Sequence, residues 1–110
     1  MSQDSYPEIS IVIPCLNEEE GVAYCLDQIE STLPLIASSV EVVVVDNAST
    51  DRTASIVQQR MTGRPWLRLV TESVRGYGAA YLCGLKSAKG KFFFMADADG
   101  TYDFKDMPRF

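Results

Sequence analysis

Six consecutive residues, V-E-V-V-V-V at 40–45, set the tightest limit on what this chain can fold into. β-Branched side chains that do not alternate with polar ones suit a strand covered on both faces, and such strands belong to parallel sheets sandwiched between helices. Three further apolar runs punctuate the chain. I-S-I-V-I at 9–13 is stopped by Pro14, which cannot donate to a ladder. L-R-L-V at 67–70 alternates around Arg68 and reads as a strand solvated on one side or lying at an edge. K-F-F-F-M-A at 91–96 again reads as a strand covered on both faces.

The intervening segments carry helical spacing. Asn17 is placed to cap a first helix, with Glu20 three residues on as in a capping box and Glu18 and Glu19 in the first turn; Val22, Leu26, Ile29 and Leu33 then recur up to Pro34. N-A-S-T-D-R-T at 47–53 reads as a turn running into a second helix, capped by Ser49 or Thr50, with Asp51 in its first turn, and closed by Gly63 and Pro65. A third helix follows Gly76 and Gly78 and ends at Gly90, with Gly84 among Ala79, Ala80 and Ala88 marking close packing on a sheet. Right-handed crossovers between such strands give a doubly wound three-layer α/β/α fold, Rossmann-like, with a parallel sheet in the order 3-2-1-4. At 110 residues, 46% apolar and 23% charged, the chain suffices for one core.

In that fold the chemistry gathers outside the carboxyl ends of the strands. Asp46 ends the second strand, and Asp97 and Asp99 follow the fourth in D-A-D-G. Residues two apart in an extended segment project to one side, so Asp97 and Asp99 can address one hard cation, Mg²⁺ or Mn²⁺, bridging to substrate phosphate. The same D-x-D is also common turn chemistry, and Glu18 serves a helix start as well as a ligand. Arg75, ahead of Gly76, offers a charge-assisted contact to phosphate. A dinucleotide fingerprint fails there, since it belongs after the first strand and needs a third glycine where Tyr81 stands.

A net charge of −5 disfavours nucleic acid as a partner, as well as a polybasic membrane footprint. Three cysteines without any histidine read as small core residues in a reducing compartment. With neither a run long enough to cross a bilayer nor a signal-peptide pattern, the expectation is a soluble, cytoplasmic segment.

Taken together, P-C-L-N-E-E-E at 14–20, V-V-D-N-A-S-T-D-R-T at 44–53, R-G-Y-G-A-A-Y-L-C-G at 75–84 and D-A-D-G at 97–100 resemble the nucleotide-sugar-binding half of a family-two glycosyltransferase with the GT-A fold. The wording at 75–80 and 97–104 is most similar to polyprenyl-phosphate hexose synthases, the dolichyl-phosphate glucose or mannose transferases. The resemblance implies that Pro14, Asn17 and Glu18 line the nucleobase and ribose pocket, that Asp46 bonds the base, and that Arg75 and Gly76 lie beside the nucleotide. It further implies that Asp97 faces the ribose or sugar and shares the metal with Asp99. Asn47 stands where many relatives have a second Asp; it keeps hydrogen bonding without the charge, so Asn47→Asp is expected to matter little.

The donor would be a UDP- or GDP-linked sugar and the acceptor a polyprenyl phosphate at the cytoplasmic face of a membrane. Such enzymes continue past the D-x-D, so residues 1–110 are expected to be the donor half, with the catalytic base downstream and no transfer by this segment alone. Its fourth strand, an aromatic edge without a neighbour, is expected to make the segment self-associate. Two other readings stay open: a free-standing nucleotide-binding module, and a nucleotidyltransferase, although the latter's basic glycine-rich loop has no counterpart at 14–20.

Overall fold

The structure, a computed structural model, describes residues 6–98. They form strand β1 (Ile9–Cys15), helix α1 (Val22–Thr32) with a 3₁₀ turn at Leu33–Leu35, β2 (Val40–Asp46), α2 (Thr53–Met61), β3 (Leu67–Thr71), α3 (Tyr77–Ser87) and β4 (Phe92–Met95). The sheet runs β3-β2-β1-β4, and its three pairings are all parallel. Period-two geometry splits each central strand between two cores. Ile11, Ile13, Val42 and Val44 face α1 and α2, packing on Val22, Leu26, Ile29 and Val57. Val12, Val43 and Val45 face α3 and pack on Ala80. That arrangement is why the run at 40–45 needed no polar alternation: both of its faces are interior.

Helix α3 lies unusually close to the sheet because Gly84 presents no side chain. A Cβ there would stand 2.3 Å from Val12 Cγ1 and 3.0 Å from Val45 Cγ2. At the amino end of the sheet a polar cluster binds the layers together. The Glu41 carboxylate accepts from Ser10 Oγ at 2.6 Å, from the Lys89 amide at 2.6 Å and from Arg68 Nε at 3.1 Å, while Ser10 Oγ accepts from the Gly90 amide at 2.9 Å. Desolvation would raise the Glu41 pKa, but these donors together hold its carboxyl below the usual range.

Several local expectations are corrected. β1 continues through Pro14 to Cys15. Its ring costs nothing on the β2 side; the missing N–H faces β4, whose pairing with β1 stops at Met95, so Pro14 ends that ladder instead of the strand. α1 begins at Val22 with Gly21 as its N-cap, and its first turn holds no acid. Asn17 takes φ +56° in the turn before it, and its side chain goes elsewhere. α2 starts at Thr53 after Arg52, not after Ser49 or Thr50; Asp51 lies ahead of the helix, and its Oδ1 accepts the Thr53 amide at 2.9 Å. α3 ends at Ser87, three residues before Gly90. Among the described residues β4 is not covered on both faces: Phe92 is 65% and Phe93 49% exposed, because β4 is the last strand of the described sheet.

Candidate functional site

The carboxyl ends of β1, β2 and β4 and the start of α3 enclose a cleft of ≈ 200 Å³. Pro14, Cys15, Leu16 and Glu18 come from the end of β1, Asn47 from β2, Gly76 and Tyr77 from α3, and Asp97 and Ala98 from the segment after β4. A parallel sheet directs all its strands to one end, and the reversal of strand order between β1 and β4 opens a crevice there.

Four of the residues singled out in the sequence, Pro14, Glu18, Gly76 and Asp97, line this cleft. Asp97 is half-buried; Tyr81 Oη donates to its Oδ1 across 3.4 Å, and Cys25 Sγ lies 4.0 Å from its carbonyl oxygen. Burial first, then the Asp97 charge, push the Tyr81 phenol up, so it stays protonated and a donor. The donor chemistry suits a hard cation, since Mg²⁺ and Mn²⁺ take one or two carboxylates and leave other positions to water and phosphate. Among the described residues no group of three or more His, Cys, Asp or Glu side chains could hold a metal ion. Asp99, the second acid of the D-x-D, lies outside the described residues.

The other three residues sit in the frame around the cleft. Asn17 accepts the Thr50 amide on Oδ1 at 2.8 Å, while its own amide donates to Ser49 Oγ at 2.9 Å. The Glu18 amide donates to Thr53 Oγ1 at 2.8 Å and the Glu19 amide to Asp51 Oδ2 at 3.1 Å, so the loops after β1 and β2 are stitched side by side. Desolvation opposes the charge on Asp51, but hydrogen bonds from Thr53 and Glu19 hold its carboxyl below the usual range. Asp46 is buried, with Oδ1 accepting the Ser49 amide at 3.2 Å. Arg75 is exposed and donates from Nη2 to the Ala48 carbonyl at 3.1 Å.

Asn47 departs most from its expected part. It is 3% exposed, and its side chain is directed at the β3–α3 connection: Nδ2 donates to Glu72 O at 3.1 Å and to Val74 O at 2.8 Å, while Oδ1 accepts the Gly76 amide at 2.9 Å. Leu16 and Tyr77, which also line the cleft, were not singled out in the sequence. For Tyr77 a signal existed in its position directly after Gly76, and its ring stacks on Tyr81 with centroids 6.2 Å apart. Cys15 is buried in the cleft wall, and burial, reinforced by Cys25 and nearby acids, pushes its thiol far up, which rules it out as a thiolate nucleophile.

Comparison with known proteins adds to this geometry. The profile of glycosyl transferase family 2 matches residues 10–110. The low-salt glycan biosynthesis hexosyltransferase Agl6 of Haloferax volcanii is 38% identical over 106 residues, 96% of this chain and 24% of its own. The dolichyl-phosphate β-glucosyltransferase of Homo sapiens is 33% identical over 110 residues, 93% of this chain and 34% of its own. Among solved structures, the mannosyltransferase PcManGT of Pyrobaculum calidifontis, in complex with GDP-Man and Mn²⁺, superposes with a TM-score of 0.74 at 32% identity, covering 92% of this chain and 30% of that one. Glucosyl-3-phosphoglycerate synthase of Mycobacterium tuberculosis, with Mn²⁺, UDP and glucosyl-3-phosphoglycerate, gives 0.62 at 29% identity, covering 84% and 33%. The chain thus spans about a quarter to a third of these relatives' lengths.

Proposed function

The chain belongs to glycosyl transferase family 2, and from that premise we propose that residues 1–110 form the donor-binding half of a hexosyltransferase domain, holding a UDP- or GDP-linked sugar in the cleft at the carboxyl end of the sheet. The observation that carries this is the meeting of Asp97 with Pro14, Glu18 and Gly76 around one cleft, at the strand ends where an open parallel sheet takes its ligand. Structural relatives named with GDP-Man and Mn²⁺, or with UDP and Mn²⁺, support the class of ligand.

In this reading Pro14 and Glu18 border the base and ribose, and Gly76 brings backbone close to the nucleotide. Asn17, Asp46 and Arg75 act on the same ligand through the loops they hold. Asp97 and Asp99 would hold Mg²⁺ or Mn²⁺, which when bound neutralises charge developing on the diphosphate leaving group. The acceptor is proposed to be a polyprenyl phosphate, supported by the relatives named dolichyl-phosphate β-glucosyltransferase. A reducing, cytoplasmic setting is proposed from the sequence pattern of three widely spaced cysteines without a histidine. Among the described residues no helix is long and apolar enough to cross a membrane. The exposed Phe92, Phe93 and Met95 at the β4 edge support self-association of the isolated chain.

Titration calorimetry with UDP-glucose and GDP-mannose, with and without Mn²⁺, tests the reading. One of the two should bind in the presence of Mn²⁺, and Asp99→Asn should weaken that binding by at least about tenfold, the loss of a charge-assisted contact. Equal affinity with and without the metal would remove the D-x-D from the site.

A further inference from the structure

We infer that Asn47 is a positioning residue that fixes the cleft wall through the β3–α3 connection, and that an amide, not a carboxylate, is required at this position of this chain. The inference rests on reading the cleft as the nucleotide site. Three hydrogen bonds leave the carboxamide no freedom. Its two N–H groups meet the carbonyls of Glu72 and Val74, and its oxygen meets the Gly76 amide. Rotating the amide by half a turn would set oxygen against two carbonyl oxygens and NH₂ against an N–H, so the orientation is determined by its partners.

The connection it grips is otherwise held at few points. The Glu72 amide bonds the Asp46 carbonyl at 3.0 Å, and the Val74 amide turns back onto Glu72 Oε2 at 2.8 Å. Gly76 then takes φ +131°, a conformation that side chains rarely adopt, and delivers Tyr77 to the cleft. Because Asn47 itself hangs from β1 by its amide on the Cys15 carbonyl at 2.8 Å, it ties the β1 floor of the cleft to the α3 wall. Its side-chain polar atoms are thereby committed to the connection.

A carboxylate of the same shape reverses the outcome expected from the sequence. Asn47→Asp keeps the acceptor for Gly76 but sets a charged oxygen against the carbonyls of Glu72 and Val74. The connection must then swing away, and the wall formed by Gly76 and Tyr77 goes with it. Protonating the introduced carboxyl restores one donor. The ionisable groups on the elements around it are Asp46 on β2, Glu72 after β3, Arg75 and Tyr77 at the start of α3, Glu18 after β1 and Asp97 after β4, and all of these are the same in wild type and variant. The ratio of wild-type to variant affinity therefore isolates position 47.

The experiment measures affinity for UDP and GDP with Mn²⁺, for wild type and N47D, from about pH 8 to about pH 5, well below both melting temperatures. N47D should bind about tenfold or more weakly at the upper end, the effect of buried groups left unpaired, with the ratio narrowing toward the lower end. Amide exchange at 72–77 should rise in N47D while β1 and β2 stay protected. Glu41→Gln, destabilised at the opposite end of the sheet, should leave nucleotide affinity unchanged. A ratio near one, a ratio constant with pH, or an equal loss in E41Q would each overturn the inference. If the wild type binds neither nucleotide, the proposed function fails while the positioning role is still decided by exchange: unchanged protection at 72–77 in N47D would overturn it and increased exchange would uphold it.

Discussion

Glu41→Gln probes the polar clamp that holds Ser10, Arg68 and the α3–β4 connection together at the amino end of the sheet, the end opposite the cleft. The carboxylate faces donors: Ser10 Oγ, the Lys89 amide and Arg68, whose Nη2 lies 2.9 Å from Oε1. Glutamine has the same shape but one oxygen and one NH₂, so either orientation turns a donor toward a donor. The variant exchanges charge-assisted bonds of about 1.5–3 kcal/mol each for neutral ones and leaves a buried group unpaired at about 1–3 kcal/mol.

Arg68 keeps a third of its side chain in solvent and recovers water contacts, which brings the net loss to about 2–3 kcal/mol. For a domain of this size that lowers Tm by about 10 °C. The pH dependence has a definite sign. Glu41 is held below its reference pKa of 4.5 in the folded chain, so its contribution is complete above that value and is lost as pH falls through the lower folded pKa. Urea unfolding of both proteins at pH 7 should show the gap, and the gap should close as pH drops below 4.5. A variant as stable as wild type at pH 7, or a gap of equal size in acid, would refute the assignment of the cluster as a buried clamp.

Two other perturbations follow from the packing. Gly84→Ala places a methyl 2.3 Å from Val12 Cγ1; overpacking of about 1–3 kcal/mol should outweigh the roughly 1 kcal/mol that alanine gains in a helix, giving a lower urea midpoint, whereas a higher midpoint would show that α3 shifts freely. At the edge of the sheet formed by the described residues Phe93 is 49% exposed, so light scattering should find the wild-type chain self-associated and Phe93→Lys monomeric; a monomeric wild type would contradict the role given to this edge.

Much of the fold was legible because its signals are local. The run at 40–45 read as a doubly covered strand and the β-branched 9–13 as the first strand, and right-handed crossovers then led to the order β3-β2-β1-β4. The site's location followed, since Asp46 and Asp97 sit at strand ends. What local pattern hid was the use of each side chain. Asn17 has the sequence context of a cap, yet its oxygen serves the Thr50 amide across 33 positions. Asn47 looked like a neutral stand-in for an acid because its partners, Glu72, Val74 and Gly76, lie beyond an intervening helix and strand. The apolar run at 92–95 has the composition of an interior strand, and its exposure depends on which elements lie beside it, information that no window of sequence contains.

In the proposed function a divalent metal and a nucleotide meet at Asp97 in the cleft. Mn²⁺ is paramagnetic and broadens nearby amide resonances, so the isolated chain can report the place directly when titrated with trace Mn²⁺ in the presence of UDP or GDP. Broadening should centre on Asp97 and Ala98, reach the other cleft residues Asn47, Gly76 and Tyr77, and be abolished in Asp97→Asn. Broadening centred on the distant acids Asp27 and Glu30 of α1, or unaffected by Asp97→Asn, would contradict the proposed function.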